Sequence, residues 1–473
     1  MKQQLQKFTA FANRLLPHET AYLLSIQRFQ DDERLTILKL VDANGRHIDQ
    51  FSPYDTSIDK RKYNHLQNWI EHSLRAADVD AQFEWLNAME QRIMTDSIQL
   101  EEEKELLKHI RNYRHPAFYF TKFYELVEHF RQFLLIRIRY DDFALTNAFL
   151  QEHQEAYQRS KKVSVKILDA TKDIVAQYSG HDAESFHWEE WLTKVFYDES
   201  NDGLNRYLAL VRLIFISFNY GKFDILRDKF DYLDQQFSHG KYYSKRLLLN
   251  YYNNRLLYHS HFKEYEKAVY YGYLSIRSKN HDYIHYVNNL VAVLLRLERN
   301  EEALELLKKA SVELKHTGNM HSRIGFVSFY LEALNKNKRY KNAESYGDTF
   351  LQAYAKEVLQ YRWHLFFSVY LEALMHRQAY AKMLETEMHY KLLEKDKAYQ
   401  AKANYVPTIP LYTDVAAYKE GFLGRKDIID QWTQWVADSM EEDTSRSGAL
   451  FKLLKQLQPV IPEIINYLPN VRV

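Results

Sequence analysis

The chain has 473 residues, with 64 lysines and arginines against 63 aspartates and glutamates, and it contains no cysteine. The balanced charge provides no overall field that would attract nucleic acid or acidic lipid. The lack of cysteine excludes disulfides, thiolate metal ligands and a thiol nucleophile, and it suits a reducing compartment. Because no window approaches the roughly 18 consecutive apolar residues of a membrane span, we expect a soluble, cytoplasmic protein.

Proline is absent between Pro116 and Pro407, and glycine is sparse in the same stretch. Inside a helix, proline costs about 3 kcal/mol and glycine about 1 kcal/mol relative to alanine. Continuous β structure would instead need frequent turn residues. The sequence therefore predicts an all-α fold with short loops.

Residues 1–115 are predicted to form an irregular N-terminal helical region. Its helical segments include HETAYLLSIQR, DERLTILKLVDANG and SIDKRKYNHLQNWIEHSL, and ANGRHIDQFSPYD between the last two is compatible with a short hairpin. Three helices and a hairpin give the outline of a winged helix. Four residues near the start of the third segment are then candidates for nucleic-acid contact: Lys60, Arg61, Lys62 and His65. The alternative is a helical cap over the first repeat.

Residues 116–400 are predicted to form a helical-repeat solenoid. Its degenerate beginning contains three amphipathic segments: YFTKFYELVEHFRQFLLIRIRY, DDFALTNAFLQEHQEAYQ and VSVKILDATKDIVAQY. Further along, SFYLEAL begins at Ser328 and SVYLEAL begins at Ser368, forty residues later. Such self-similarity at a fixed spacing is typical of repeat architectures.

Two markers share one uneven spacing in this stretch. An aromatic residue precedes a small polar residue by two positions at Tyr251/Asn253, Tyr286/Asn288, Phe326/Ser328 and Phe366/Ser368, in steps of 35, 40 and 40. A second marker, at Ala268, Ala303, Ala343 and Met383, follows the same steps. Each unit of about 35–42 residues is therefore predicted to contain a first helix with the aromatic residue, a short turn and a second helix. Two helices cannot bury an apolar face alone, so units must stack.

The pattern A-x-x-Y-G occurs in two of the second helices, ending at Gly272 and Gly347. A glycine inside a helix is costly, and its reuse at one position indicates a close helix crossing where no side chain fits. The alternative is sequence drift at a tolerant position.

The segment YVNNLVAVLLRLERNEEALELLKKA (residues 286–310) resembles the tetratricopeptide-repeat family, with Asn-Asn-Leu in the first helix and Glu-Glu-Ala-Leu in the second. FKEYEKAVYYG (residues 262–272) is similar to the turn and second helix of that family. The chain departs from the family in its longer units, in Leu256 and Val291 where the family has glycine, and in lacking the closing proline. The resemblance implies a right-handed superhelix with a concave groove lined by the first helices, and it implies no chemistry.

In proteins similar to tetratricopeptide repeats, asparagines of the first helices face the groove and pair with the backbone of an extended peptide. An amide offers a donor and an acceptor together, which suits a peptide unit. The groove candidates in this chain are Asn250, Asn253, Asn254, Asn288, Asn289, Ser328 and Ser368, with Glu332 and Glu372 one helical turn further along. The alternative is that one asparagine of each pair bonds a neighbouring helix or loop.

Residues 401–473 are predicted to hold the last repeat and a C-terminal cap. LGRKDII (residues 423–429) resembles the turn of another unit, SMEEDTSRSG (residues 439–448) is predicted to be a polar loop, and LFKLLKQLQPVIPEIINYL is predicted to close the stack as a helix pair. A terminal cap shields the last repeat from solvent.

The sequence contains no phosphate-cradling glycine motif, no dinucleotide fingerprint, no H-E-x-x-H and no nucleophile elbow. We therefore predict no catalytic residue, no cofactor and no metal site. The leading hypothesis is a scaffold or adaptor that binds a protein or peptide in the groove. The alternative is a nucleic-acid-linked regulator using the N-terminal region, which predicts binding that weakens steeply with salt. An enzyme of unrecognised type is a third hypothesis.

Overall fold

The computed structural model describes residues 5–178, 184–400, 405–442 and 444–468. These ranges contain 24 α-helices, three 3₁₀ segments and no strand, which confirms the predicted all-α class. None of the helices in the described ranges combines the length and the hydropathy needed to cross a bilayer.

The helices of the first half of the chain are α1 (Gln6–Ala12), α2 (Pro17–Ile26), α3 (Asp32–Gly45), α4 (Lys60–Ala77), α5 (Val79–Met94), α6 (Leu100–Arg111), α7 (Phe120–Ile136), α8 (Tyr140–Tyr178), α9 (Glu189–Tyr197), α10 (Gly203–Tyr220), α11 (Arg227–Ser238) and α12 (Lys245–His261). Those of the second half are α13 (Tyr265–Ser275), α14 (Tyr283–Arg296), α15 (Asn300–Ala310), α16 (Met320–Lys336), α17 (Tyr340–Tyr361), α18 (Trp363–His376), α19 (Tyr380–Tyr390), α20 (Leu392–Tyr399), α21 (Thr408–Lys419), α22 (Arg425–Glu442), α23 (Thr444–Leu457) and α24 (Pro462–Ile465).

The chain divides into two compact units. Unit 1 comprises Met1–Glu264 and Tyr273–Ser278, and unit 2 comprises Tyr265–Gly272 and Lys279–Val473. In unit 1, α2 packs on α11 as well as on α3 and α4. The N-terminal helices thus belong to the same compact unit as α7–α12, and residue 115, the predicted domain boundary, lies inside it.

The hairpin considered for the segment after α3 is not present. Residues 46–59 contain turns and extended chain but no strand. The side chain of Asn44 takes the place of a strand partner: its Nδ2 donates to the carbonyl oxygen of Ser52 at 3.0 Å, and its Oδ1 accepts from the Ser52 N–H at 2.8 Å. Tyr63 donates its hydroxyl to the carbonyl oxygen of Asp55 at 2.7 Å. Side chains therefore satisfy this loop, which leaves no backbone ladder to form a wing.

Two predicted helix boundaries are wrong. The second and third amphipathic segments after residue 140 form one 39-residue helix, α8. The residues between them, RSKK, include no glycine or proline. Ser160 is buried, and its hydroxyl forms hydrogen bonds with Asp202 and Thr121. Likewise, the predicted polar loop at 439–448 is helical on both sides of residue 443, which lies outside the described residues.

The turns between paired helices share one backbone conformation. In each, a residue in the left-handed region ends the first helix, at Asp96, Ile138, Gly221, Lys263, Glu298, Lys338, Gln378 and Gly421. The next residue donates its N–H to the carbonyl five positions earlier, at 2.8–3.1 Å, as in Schellman caps. From Lys263 to Gln378 the steps are 35, 40 and 40, the spacing of both sequence markers. The repeat therefore has a structural basis, and the same turn occurs as early as Asp96.

In unit 2 the first helices of successive pairs pack directly on one another, in the order α14, α16, α18 and α21. Each second helix packs between two first helices: α15 on α14 and α16, α17 on α16 and α18, and α19 on α18 and α21. The first helices thus form one layer and the second helices another. Residues at equivalent positions of α16, α18 and α21 consequently come near one another.

Gly347 lies at the close crossing that its repeated pattern predicts. A Cβ atom built on this residue would lie 2.5 Å from the ring of Tyr370 on α18, closer than any real contact. Tyr370 is buried and donates its hydroxyl to Asp348 on the adjacent helix α17. The packing explanation for this glycine is therefore confirmed.

Candidate functional site

The structure separates the predicted groove residues into buried and partly exposed ones. Asn253, Asn288 and Ser328 are buried. Asn288 donates its Nδ2 to the carbonyl oxygen of Ser322 at 2.8 Å, and this bond ties α14 to α16. Ser328 donates its hydroxyl to the carbonyl oxygen of Ile324 at 2.9 Å within its own helix. All three side chains are buried, and Asn288 bonds a neighbouring helix, as the alternative for the asparagine pairs predicted.

The four remaining groove candidates are partly exposed. Asn254 donates to both the carbonyl oxygen and the Oδ1 of Asn250, at 3.1 and 3.0 Å, and Tyr207 donates to the same Oδ1 at 3.3 Å. Asn289 lies 3.3 Å from a ring nitrogen of His285. Ser368 donates to the carbonyl oxygen of His364 at 2.7 Å. A partner could reach these four side chains by displacing local hydrogen bonds, so their groove role stays a prediction.

The basic cluster of the alternative hypothesis is partly neutralised. Lys62 forms ion pairs with Asp31 at 3.0 Å and with Glu33 at 2.7 Å. Both carboxylates help to raise the pKa of Lys62, through hydrogen bonds and charge. Lys60, Arg61 and His65 are exposed at the start of α4. One of the three lysine and arginine charges is thus already used within the protein.

A different set of polar groups meets in the layer of first helices in unit 2. Glu332 lies on α16 and Glu372 at the equivalent position of α18; we refer to them as the carboxylate pair. Tyr412 on α21 follows Glu372 by the same forty residues. The repeat therefore places two carboxylates and a phenol at equivalent positions of three neighbouring helices.

The carboxylate pair forms no ion pair within the described part of the chain. Among the described residues, Glu332 accepts no hydrogen bond and has no ion pair, and Glu372 accepts only the Nδ2 of Asn335, at 3.1 Å. Burial raises the pKa of Glu332 to about 6, and repulsion from Glu372 adds to this. The charges of Lys336, Lys452 and Arg296 act in the opposite direction. Two neighbouring carboxylates that form no ion pair with a described residue repel each other, which is energetically unfavourable.

Two further polar groups at this place also lack partners. Tyr412 is 3% exposed, and its hydroxyl makes no hydrogen bond with any described residue. Burial raises its pKa, and repulsion from both members of the carboxylate pair raises it further. Asn335 is buried, and its Oδ1 has no partner in the part of the chain described, although its Nδ2 also donates to the carbonyl oxygen of Val369 at 2.8 Å. Buried polar atoms are normally hydrogen-bonded, so the cluster has unused acceptor capacity.

Tyr340 and His376 border the same cluster. Their rings stack with centroids 4.4 Å apart, and the charge of Glu372 acts on both. Burial lowers the pKa of His376, with a smaller contribution from Lys336. The neutral imidazole of His376 and the aromatic ring of Tyr340 lie next to carboxylates. Together they form a surface that a cationic side chain can contact.

From the sequence, Glu332 and Glu372 were placed only one helical turn beyond Ser328 and Ser368, and Tyr412 and Asn335 were not predicted. The forty-residue step could have located Tyr412, because Glu372 plus one step reaches it. No sequence signal marks Asn335, whose role depends on the packing of α16 against α18. No group of three or more histidine, aspartate or glutamate side chains in the described ranges has the geometry of a metal site.

Comparison of the whole chain with protein-family models, with curated proteins and with solved structures finds no match in any of the three.

Proposed function

We propose that unit 2 is a right-handed superhelix similar to tetratricopeptide repeats, and that its layer of first helices binds a partner segment carrying a lysine or arginine side chain. The protein would act as a scaffold or adaptor rather than as an enzyme. The carboxylate pair carries this proposal, because Glu332 and Glu372 repel each other and neither forms an ion pair with a described residue.

Binding of a cation would relieve the repulsion within the carboxylate pair. A buried carboxylate without a partner destabilises a fold, and breaking or omitting an ion partner costs several kcal/mol in extreme cases. A cationic side chain from outside would neutralise Glu332 and Glu372 together and could donate to the free acceptor of Asn335. Charge-assisted hydrogen bonds contribute about 1.5–3 kcal/mol each. The gain on binding is therefore larger than for a site whose charges are already compensated.

The partner's backbone would lie along the same layer. Asn289 and Ser368 are partly exposed on first helices of unit 2 and offer the donor and acceptor groups that a peptide unit needs. Direct stacking of first helix on first helix supports a superhelix with this layer on its inner side. Without cysteine in the sequence, the cytoplasm remains the proposed compartment.

The proposal is tested with an immobilised library of short peptides that each contain a central arginine, lysine, alanine or glutamate. We expect the intact chain to retain peptides with a basic centre, and the Glu332→Gln/Glu372→Gln variant to lose them. Glu305→Gln is the matched control, because Glu305 is an exposed glutamate already paired with Lys308 at 2.6 Å. Retention that ignores the central residue, or that survives in the double variant, would contradict the proposal.

A further inference from the structure

Unit 1 contains a cavity of about 480 Å³ at the meeting point of five chain segments. Its walls come from α2, the junction of α4 and α5, the loop before α7, the segment from Glu199 to Arg206 that leads into α10, and the segment from Gln236 to Tyr242 at the end of α11. This volume is within the range of small-molecule sites, about 300–1,000 Å³. Nothing in the proposed function of unit 2 uses it.

Arg206 provides the charge of the cavity. Its side chain lines the wall although the residue is only 6% exposed. The guanidinium donates its Nε to the carbonyl oxygen of Phe196 at 2.9 Å and one Nη to the hydroxyl of Tyr232 at 2.6 Å. The other Nη donates to no described residue. No carboxylate among the described residues lies within ion-pair distance of this guanidinium, since Asp202 and Glu199 bond elsewhere.

A buried guanidinium without a counter-anion is unusual, because an unpaired buried charge carries a large desolvation cost. The nearest compensation is indirect: Tyr232 accepts from Arg206 and donates to Glu199 at 3.0 Å. The rings of Tyr232 and Tyr242 lie 5.7 and 5.5 Å from the guanidinium carbon, which shields it from water. The guanidinium is thus flanked by aromatic rings at a cavity whose lining also includes the exposed carboxylate of Glu199.

The other lining residues indicate which chemical groups a bound anion could carry. Phe118, Tyr22 and Val79 provide apolar and aromatic surface, while Gln82 and the exposed Lys241 stand at the cavity wall as polar groups. Tyr242 also lines the cavity, and its buried hydroxyl has no hydrogen-bond partner among the described residues. A planar guanidinium matches carboxylate and phosphate oxygens in geometry.

We propose that this cavity binds a small organic oxyanion, with its carboxylate or phosphate group on Arg206 and an apolar or aromatic part against Phe118 and Tyr22. The proposal is independent of partner binding by unit 2. Three probes separate the possible chemistries: benzoate for an aryl carboxylate, phenyl phosphate for an aryl phosphate, and benzyl alcohol for the ring without charge.

The experiment is isothermal titration calorimetry of the intact chain with each probe. We expect at least one anion to bind and benzyl alcohol not to bind. Arg206→Gln is expected to weaken anion binding by about tenfold or more, the equivalent of one charge-assisted hydrogen bond. Arg212→Gln is the matched control, because Arg212 lies on the same helix and bonds Thr171, outside the cavity lining.

A second pair of variants keeps the test decisive if Arg206→Gln fails to fold. Lys241→Glu reverses an exposed charge at the cavity wall and should weaken anion binding, whereas Lys39→Glu makes the same change at an exposed position outside the lining and should not. The proposal is overturned if neither anion binds the intact chain. It is also overturned if benzyl alcohol binds as tightly as the anions do. The same holds if Arg206→Gln and Lys241→Glu bind the anions as tightly as their respective controls.

Discussion

Glu19 in unit 1 is a buried glutamate and Glu332 in unit 2 a partly buried one, and their surroundings differ completely. The carboxylate of Glu19 accepts from the hydroxyl of Tyr243 at 2.6 Å, from the N–H of Leu16 at 2.7 Å and from the Nζ of Lys245 at 2.7 and 2.8 Å. Glu332 accepts no hydrogen bond from a described residue and faces a second carboxylate.

We interpret Glu19 as a structural charge, which stabilises the fold, and Glu332 as a binding charge, which serves the proposed partner site. Every lone-pair direction of Glu19 is used inside the protein, so this residue joins α2 to the start of α12 and has nothing left for a ligand. Glu332 and Glu372 repel each other instead of joining two helices, and keeping such a pair lowers the stability of the fold. Burial of a titratable group therefore does not by itself indicate the role of that group, which depends on its hydrogen-bond and ion-pair partners.

The strongest test of this comparison removes the structural charge. Glu19→Gln should destabilise the chain by about 3 kcal/mol, because Tyr243 and Leu16 lose a charged acceptor and Lys245 loses its ion partner. The free energy of unfolding by urea measures the effect. Glu84→Gln, at an exposed position of α5, is the control and should change little. If Glu19→Gln loses no more free energy of unfolding than Glu84→Gln, Glu19 does not have the structural role described.

Packing in unit 2 is tested at Gly347. A methyl group there meets the Tyr370 ring at 2.5 Å, and overpacking of this kind costs about 1–3 kcal/mol. We expect Gly347→Ala to lower the midpoint of thermal unfolding. In Gly318→Ala the added methyl has open space, so this variant should not be destabilised. Equal behaviour of the two variants would mean that α17 and α18 do not approach as closely as described.

Peptide binding at the carboxylate pair should depend on pH. Because the pKa of Glu332 is about 6, this carboxyl is mostly ionised at pH 7.5 and mostly protonated at pH 5. A basic peptide recovered from the library should therefore bind roughly tenfold more weakly at pH 5, with fluorescence anisotropy as the measurement. Lys336, Lys452 and Arg296 stay charged over this range. In Glu332→Gln the dependence should disappear, and an unchanged dependence there would assign it to another group.

The smallest effect concerns the turn that both units share. Gly221 in unit 1 and Lys338 in unit 2 adopt the left-handed conformation at equivalent turns, with φ of 65° and 57°. A residue with a Cβ atom pays about 1 kcal/mol or more there, and glycine does not. We expect Lys338→Gly to raise the free energy of unfolding by about 0.5–1 kcal/mol and Gly221→Ala to lower it by a similar amount. As a control, Lys356→Gly inside α17 should be destabilising.

The sequence predicted the helix class, the turns and the register of the second half because each rests on local spacing. The aromatic markers at Tyr286, Phe326 and Phe366 are all buried, and the turns fall between paired helices as expected. The break predicted before Val163 was wrong, because the intervening residues RSKK contain no helix breaker and α8 runs through them. The turns at Asp96 and Ile138 lie outside the 35- and 40-residue spacing of the markers and so gave no signal.

The candidate sites were less accessible to sequence reasoning. The burial of Asn288 follows from its bond to the backbone of the next helix, and the same residue pattern would also fit a groove position. Whether Glu332 is paired depends on residues of three other helices. Arg206 has no repeat equivalent to mark it, and its significance arises from a missing partner, which only the folded structure displays.

The claim that the carboxylate pair is uncompensated has a direct test that needs no ligand. The measurement is the free energy of unfolding of the intact chain and of Glu332→Gln, at pH 7.5 and at pH 5. The pKa of Glu332 is raised from its ordinary value of 4.5 to about 6 in the folded chain. Its contribution to stability is therefore most favourable below pH 4.5 and is lost as the pH rises through 6.

We predict that Glu332→Gln is more stable than the unaltered chain by about 1–2 kcal/mol at pH 7.5, and that most of this difference disappears at pH 5. A variant that is destabilised at pH 7.5, or whose difference is the same at both pH values, would show that Glu332 already has a favourable partner and would contradict the account.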